Sequence, residues 1–458
     1  MAELLSVGLD VGTTTTQMIL SRLTVENKAS SFAVPDMAIT DRQILYRSEV
    51  VFTPFKSGQL VDGAAIRDWV KAQYDLAGIS RERVDTGAII ITGETSRKEN
   101  AREVLSALSD FAGEFVVATA GPDLESVLAA KGAGAVQYSR ETGKRVLHID
   151  IGGGTANLSL MEKGRILQTG CMNVGGRLIK TEPDGKITYV SSVLQGLTDL
   201  RPGDYPAECQ MEAVARILVQ GLEMAVGLRP RTELLQRLWT KESGPVWNIP
   251  QGNVVISFSG GVADCIEKQQ NHQGFGDMGP LLGQTIRESL LCGKEYVLGQ
   301  ETIRATVIGA GCHSAQLSGS TVFCRNIRFP LKNLPVTSFT AEEQDSGKFS
   351  EIIAARLQQQ DGQSVLAMPG YPAPDYQKVT DLAGKIVAGT GGQDVLVCLE
   401  NDMAKALGHS LCLRLPSSTR CLCIDRIRLE ENSFLDVGEP VGPALPVVIK
   451  TLILSKEG

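Results

Sequence analysis

Short apolar runs alternate along the chain with stretches whose apolar residues recur every three to four positions, the pattern of an α/β protein rather than of separate all-helical and all-strand parts. Strands are predicted over 4–11, 16–23, 87–92, 115–118, 146–151, 156–161, 254–258 and 395–400. Helical spacing predicts helices over 63–77, 97–112, 206–226, 280–291 and 302–316. Met368-Pro369-Gly370-Tyr371-Pro372-Ala373-Pro374 and the stretch 243–252 read as surface loops.

Two of the predicted strand pairs enclose glycine-rich turns. The first is Gly8-Leu9-Asp10-Val11-Gly12-Thr13-Thr14 and the second Asp150-Ile151-Gly152-Gly153-Gly154-Thr155. In such a hairpin the backbone N–H groups can point at one anion, and glycine leaves room for a phosphate to approach. Thr13, Thr14 and Thr155 add hydroxyls, and Asp10 and Asp150 are placed to hold Mg²⁺ through its water shell. Taken alone, the first hairpin reads equally well as an ordinary Gly- and Thr-rich turn. Two Asp-x-Gly units facing each other could instead clamp a triphosphate and its metal from both sides. Neither turn is a Walker loop, which needs a Lys-Ser/Thr ending before a helix. The units lie about 140 residues apart, which suggests two structurally related halves.

Composition narrows the partners. The chain has 458 residues, too many for one hydrophobic core, with 43% hydrophobic and 21% charged residues. The net charge is −7, with Lys and Arg dispersed, so no nucleic acid is expected as a partner. No basic leader and no membrane-length apolar run is found, so no membrane association and a cytoplasmic location are expected. The ten cysteines include no Cys-x-x-Cys pair. Cys421 and Cys423 share a strand face, where core packing outweighs metal binding. The four histidines, His148, His272, His313 and His409, show no ligand spacing and no Asp-x-His-x-x-Gly pattern suited to cobalt.

The order of motifs resembles the actin, Hsp70 and sugar-kinase ATPase superfamily. In that resemblance Val254 to Ala263 is the adenosine segment, with Gly260 and Gly261 letting backbone approach the nucleoside. Glu125 to Gly134 is the first connecting helix and Val307 to Gly311 the second. Glu125 occupies the place of the glutamate that orients water or holds the metal, although a glutamate at a helix start is also favoured by the helix dipole. The implied fold is α/β, with two actin-like (ribonuclease H-like) ATPase domains around a nucleotide cleft and a C-terminal α/β extension. The expected divisions are 1–145, 146–318 and 319–458, the last a candidate for partner contact.

The stretches Ile89 to Ala101, Gly121 to Leu128 and Asp10 to Gln17, with Asp436-Val437-Gly438-Glu439-Pro440 and Val447 to Leu452, further resemble the ethanolamine ammonia-lyase reactivating protein family over essentially the whole chain. That resemblance implies a slow Mg-ATPase acting as a chaperone on ethanolamine ammonia-lyase. It would release damaged cobalamin so that adenosylcobalamin, which belongs to the partner enzyme, can rebind. Association with a bacterial microcompartment and the oligomeric state stay open. The alternatives are a small-molecule kinase of the superfamily, or an ATP-dependent assembly or scaffold protein.

Overall fold

The computed structural model describes residues 2–12, 15–28, 37–57, 60–92, 116–119, 122–243, 246, 254–267, 276–313, 315–319, 321–358, 362–429, 433–440, 442 and 444–451. Thr13 and Thr14, the helix expected over 97–112 and most of the loop expected over 243–252 lie outside the described residues.

The strand Ala2–Val11, largely apolar and buried from Ser6 to Val11, is the centre of the first sheet. Thr15–Asn27 folds back antiparallel to it, with Asp10 opposite Gln17 and Val11 opposite Thr16. Met37–Arg47 continues outward on the antiparallel side, and Thr86–Ile91 and then Val116–Thr119 add in parallel on the other. The helix Gly63–Ala77 covers this sheet through Ile66, Val70, Gln73 and Tyr74, residues one and two turns apart. Its ends are written locally. Asp62 accepts hydrogen bonds from the Ala64 and Ala65 N–H groups, and Gly78 takes the left-handed conformation that stops the helix.

The second sheet repeats the same order and directions. Arg145–Ile151 is central, Ala156–Glu162 and Arg165–Met172 lie antiparallel on one side, and Val254–Ser259 and Tyr296–Leu298 lie parallel on the other. The helix Glu208–Ala225 buries Val214, Ala215, Leu218, Val219 and Leu222 in the core beneath it. Helix Gly279–Arg287 packs alongside, stopping short of the predicted end at 291.

Between the two sheets run the helices Pro122–Gly132 and Ala305–His313. The second is shorter than the predicted 302–316, because Ala315–Leu317 leaves it to pair with Pro446–Thr451. Each helix lies on the other half's sheet. Ser159 Oγ of the second sheet donates to the Ser126 carbonyl of the first helix (2.8 Å), and Ser6 Oγ of the first sheet donates to the Gly311 carbonyl of the second. They cross at backbone contact. A Cβ on Gly132 would stand 1.8 Å from the Ala305 carbonyl oxygen, and one on Gly309 would stand 2.1 Å from that of Leu128.

The third sheet has eight strands, in the order Ala315–Leu317, Pro446–Thr451, Ser433–Val437, Leu331–Ser338, Val365–Met368, Val395–Leu399, Cys421–Ile424 and Phe323–Arg325. Its four-strand parallel core is linked by the helices Phe349–Leu357, Tyr376–Thr390 and Ala404–Cys412. Cys421 and Cys423 are packed in the core on one sheet face, together with residues of these helices. Asp425, just beyond the strand Cys421–Ile424, takes a structural place. It is fully buried and accepts hydrogen bonds from the Met403 and Ala404 N–H groups (3.1 and 2.8 Å) at the start of a helix. Among the described residues no helix is long and apolar enough to cross a membrane.

The crossing can be tested by adding one methyl group. Gly309→Ala forces the two helices apart and is expected to cost roughly 1–3 kcal/mol, seen as a lower thermal unfolding midpoint. Gly384→Ala, in helix Tyr376–Thr390 with nothing within 4 Å of the new Cβ, is expected to raise the midpoint through helix propensity, by up to about 1 kcal/mol. Equal effects at the two positions would contradict the close crossing.

Candidate functional site: an acidic cleft between two phosphate hairpins

Both hairpins close in the same way. The Gly12 N–H donates to the Thr15 carbonyl and the Gly152 N–H to the Thr155 carbonyl, each at 2.9 Å. Each follows the central strand of its sheet, so Asp10 and Asp150 occupy equivalent positions, two residues before the first glycine. A cleft of about 420 Å³ lies between them. It brings together Asp10, Gly12, Glu125, Asp150, Gly152, Gly153, Gly154, Thr155, Gly260 and Gly261 from the sequence-derived set. Thr13 and Thr14 fall outside the described residues.

The glycines do different work. A Cβ on Gly154 would meet nothing within 4 Å, so a side chain there would intrude only on the open cleft. Gly260 has φ +87°, and a Cβ there would lie 2.3 Å from the Ile151 carbonyl oxygen. Its need for glycine is therefore internal, the docking of the Val254–Ser259 strand end against the second hairpin, rather than the approach of a nucleoside. Gly261, whose nearest neighbour to such a Cβ is Ile303 Cδ1 at 3.9 Å, leaves the cleft side open.

Burial dominates the electrostatics. Asp10 is pushed up to about 7, first by desolvation and further by the charge of Asp150, against hydrogen bonding from Thr92, whose hydroxyl donates to Oδ1 at 2.8 Å, and from Gln17. Asp150 is raised to about 6 by desolvation, partly offset by the Ser259 hydroxyl that donates to it. Behind Ser259 sits the fully buried His148, its Nδ1 3.0 Å from Ser257 Oγ and its Nε2 2.9 Å from Ser259 Oγ. Desolvation lowers its pKa to about 3, so the ring is neutral.

Five carboxylates line the cleft: Asp10, Glu125, Asp150, Asp264 and Asp277. Among the described lining residues the one cation is Arg177. Sequence reasoning missed Arg177, Asp277 and the strip that carries the arginine. Gly176 and Arg177 donate their N–H groups to the carbonyls of Gly152 and Gly153 (3.0 and 2.6 Å), and a Cβ on Gly175 would lie 2.4 Å from the Gly153 oxygen. The adjacent pair Gly175-Gly176 was the available signal. Among the described residues no group of three or more His, Cys, Asp or Glu side chains forms a metal cage.

Two sheets of order 3-2-1-4-5, each with a phosphate hairpin after its first strand and joined by crossing helices, define an actin-like ATPase fold. Within that class the chain belongs to the family described as "Ethanolamine utilisation protein EutA", which matches residues 2–455. It is 38% identical over 472 aligned positions to "Ethanolamine ammonia-lyase reactivase EutA" of Salmonella typhimurium, covering 98% of each chain. It is 37% identical to the protein of the same name from Escherichia coli, again covering 98% of each. Among solved structures, the Aquifex aeolicus PPX-GPPA enzyme aligns with 67% of this chain and 99% of its own, at 13% identity and a TM-score of 0.42. The ethanolamine utilization protein EutJ from Carboxydothermus hydrogenoformans aligns with 67% of this chain and 88% of its own, at 17% identity and a TM-score of 0.31.

The burial of Asp10 has a consequence for stability. Its pKa in the folded chain, about 7, lies above the ordinary 3.8, so the folded state loses stability relative to the unfolded one as pH rises through that window. Asp10→Asn removes the charge and keeps an acceptor for Thr92. In protein free of metal and nucleotide it is expected to raise the unfolding midpoint by a few degrees at pH 8, on the order of 1–3 kcal/mol, with the gain gone near pH 4. A midpoint that falls at pH 8 would count against the buried charge.

Proposed function

We propose that this chain is an ATP-dependent reactivase of ethanolamine ammonia-lyase, which opens the lyase so that damaged or inactive cobalamin leaves and adenosylcobalamin rebinds. The partner rests on family membership over the whole chain and on the names of its relatives. The nucleotide rests on one observation, the two identically closed hairpins that face each other across a pair of buried carboxylates.

In this reading the N–H groups of the hairpins bind the phosphates. Thr13, Thr14 and Thr155 add hydroxyls, while Gly261 leaves room for the nucleoside. Asp10 and Asp150 hold the water shell of Mg²⁺, which when bound neutralises phosphate charge. The fit is electrostatic, since two buried carboxylates with raised pKa values are stabilised as anions when a cation lies between them. Glu125, on the first turn of helix Pro122–Gly132, orients the attacking water and takes its proton. ATP and ADP favour different angles between the two halves, and the lyase binds one angle better.

The domains in this reading are 1–145, 146–318 and 319–458, with the third facing the lyase. A small-molecule kinase would need a carboxylate base for an acceptor hydroxyl. The two additional acids in the cleft are engaged, since Asp264 accepts from Thr302 Oγ1 (2.6 Å) and Asp277 from the Gly279 N–H and Arg177.

The test uses ethanolamine ammonia-lyase blocked with cyanocobalamin, the full chain, Mg-ATP and adenosylcobalamin, with lyase activity as readout. Recovery that needs both ATP and Mg²⁺ is expected, and chelation of Mg²⁺ should abolish it. Asp10→Asn and Asp150→Asn should each lower phosphate release from ATP by roughly 100-fold or more. Undiminished turnover in both variants would overturn the site, and absent recovery beside normal turnover would overturn the partner.

A further inference from the structure

Arg177 is the one cation among the described residues lining a cleft that holds five carboxylates, and its placement is fixed on three sides. Its backbone N–H donates to the Gly153 carbonyl of the second hairpin (2.6 Å). Its Nε donates to Asp277 Oδ2 (3.1 Å), and Asp277 is itself held by the Gly279 N–H on Oδ1 (2.9 Å). Its guanidinium carbon lies 4.9 Å from the centre of the Phe52 ring.

Phe52 belongs to the other half of the molecule. It pairs with Thr15, the residue whose carbonyl closes the first hairpin, and it is 68% exposed. The ring lines the cleft and belongs to none of the buried clusters formed by the described residues. One residue thus touches both halves, its backbone the second hairpin and its guanidinium a residue of the strand that pairs with the first. The outer nitrogens of the guanidinium make no hydrogen bond with the described residues, so the planar fork suited to phosphate oxygens is unspent, inside a site whose other charges are negative.

We infer that Arg177 is the residue by which the cleft distinguishes a nucleoside triphosphate from a diphosphate, its outer N–H groups taking the terminal phosphate in exchange for the Phe52 ring. The inference rests on the nucleotide reading proposed above. A phosphate seated between the two hairpins meets a guanidinium held between the second hairpin's rim and the strand beside the first. For a phosphate chain entering from the Gly260–Gly261 side, that phosphate is the last. A charge-assisted, two-pronged hydrogen bond outweighs an exposed cation–π contact, so the exchange runs toward the phosphate. Release of Phe52 then removes one contact between the two halves, beside those at Gln17–Ile303 and Arg47–Glu301 that remain, and makes that contact depend on the third phosphate. With a diphosphate the arginine stays on the ring.

Calorimetric titration of the full chain with Mg-ATP and Mg-ADP tests this. Arg177→Gln is expected to weaken ATP binding by roughly tenfold or more while ADP changes by less than about threefold. Arg177→Lys, which keeps the charge but loses the fork, should fall between. Phe52→Leu removes the competitor, so ATP affinity should hold or tighten; a loss as large as that of Arg177→Gln would overturn the exchange. Equal weakening of ATP and ADP in Arg177→Gln, or none, would overturn the assignment. If that variant does not fold, Asp277→Asn, which keeps an acceptor for Gly279, should lower the preference for ATP over ADP, and an unchanged preference would reject the proposal. A wild-type chain that binds neither nucleotide would instead overturn the nucleotide reading itself.

Discussion

The cleft depends on two helices that touch backbone to backbone. Where Gly132 meets Ala305 and Gly309 meets Leu128, no side chain could be inserted. The second helix lies equally close to the first sheet, since a Cβ on Gly8 would stand 2.5 Å from the Val307 carbonyl oxygen. Gly8 is two residues before Asp10, so the contact that seats the helix also sets the height of the first acidic residue. Glycine costs conformational entropy in a helix, and that cost is offset here by a crossing without interdigitated ridges. Beside the crossing, Leu128 of the first helix and Ala310 of the second share a small buried cluster with Ala88, Ile90 and Val448.

What could be read from the sequence divides along the same lines. Helix Gly63–Ala77 was legible to the residue because Asp62 and Gly78 mark its ends locally. The central strands were legible because burial on both faces leaves largely apolar runs, broken inside by Ser6 and His148 and near their ends by Asp10 and Asp150. Helix Ala305–His313 was drawn too long, since what ends it is pairing of Ala315–Leu317 with Pro446–Thr451, a partner distant in the chain. The outer strand Met37–Arg47 escaped because Thr40, Asp41, Arg42 and Gln43 break its apolar pattern, and most of the third sheet because its strands are short and several of their partners are remote.

The site splits similarly. Its glycines and the two aspartates announce themselves as hairpins. Arg177 and Asp277 do not, because they lie 100 positions apart and acquire meaning only when a loop and a helix start converge on the second hairpin. Gly260 shows a subtler gap. Its position was legible, but its reason was not, since the contact that demands a glycine there is with the Ile151 backbone rather than with a ligand.

The charge of the cleft explains why Asp150 is supported by a histidine that is never charged. In the proposed reading two demands meet at Asp150: it must be held in one orientation, yet a cation beside it would leave nothing for a metal to neutralise. His148 meets both demands. Full burial keeps its ring neutral, with Ser257 on one nitrogen and Ser259 on the other, and Ser259 in turn donates to Asp150. Orientation is thus transmitted through neutral hydrogen bonds while the negative charge stays uncompensated by protein. The same economy holds at Asp10, whose partners are Thr92 and Gln17. Both aspartates are therefore held by neutral donors, and the one cation at hand, Arg177, is tied instead to Asp277 at the rim of the second hairpin. In the proposed reading, a cleft arranged in this way repels a bare polyanion and accepts one that arrives with its own divalent cation.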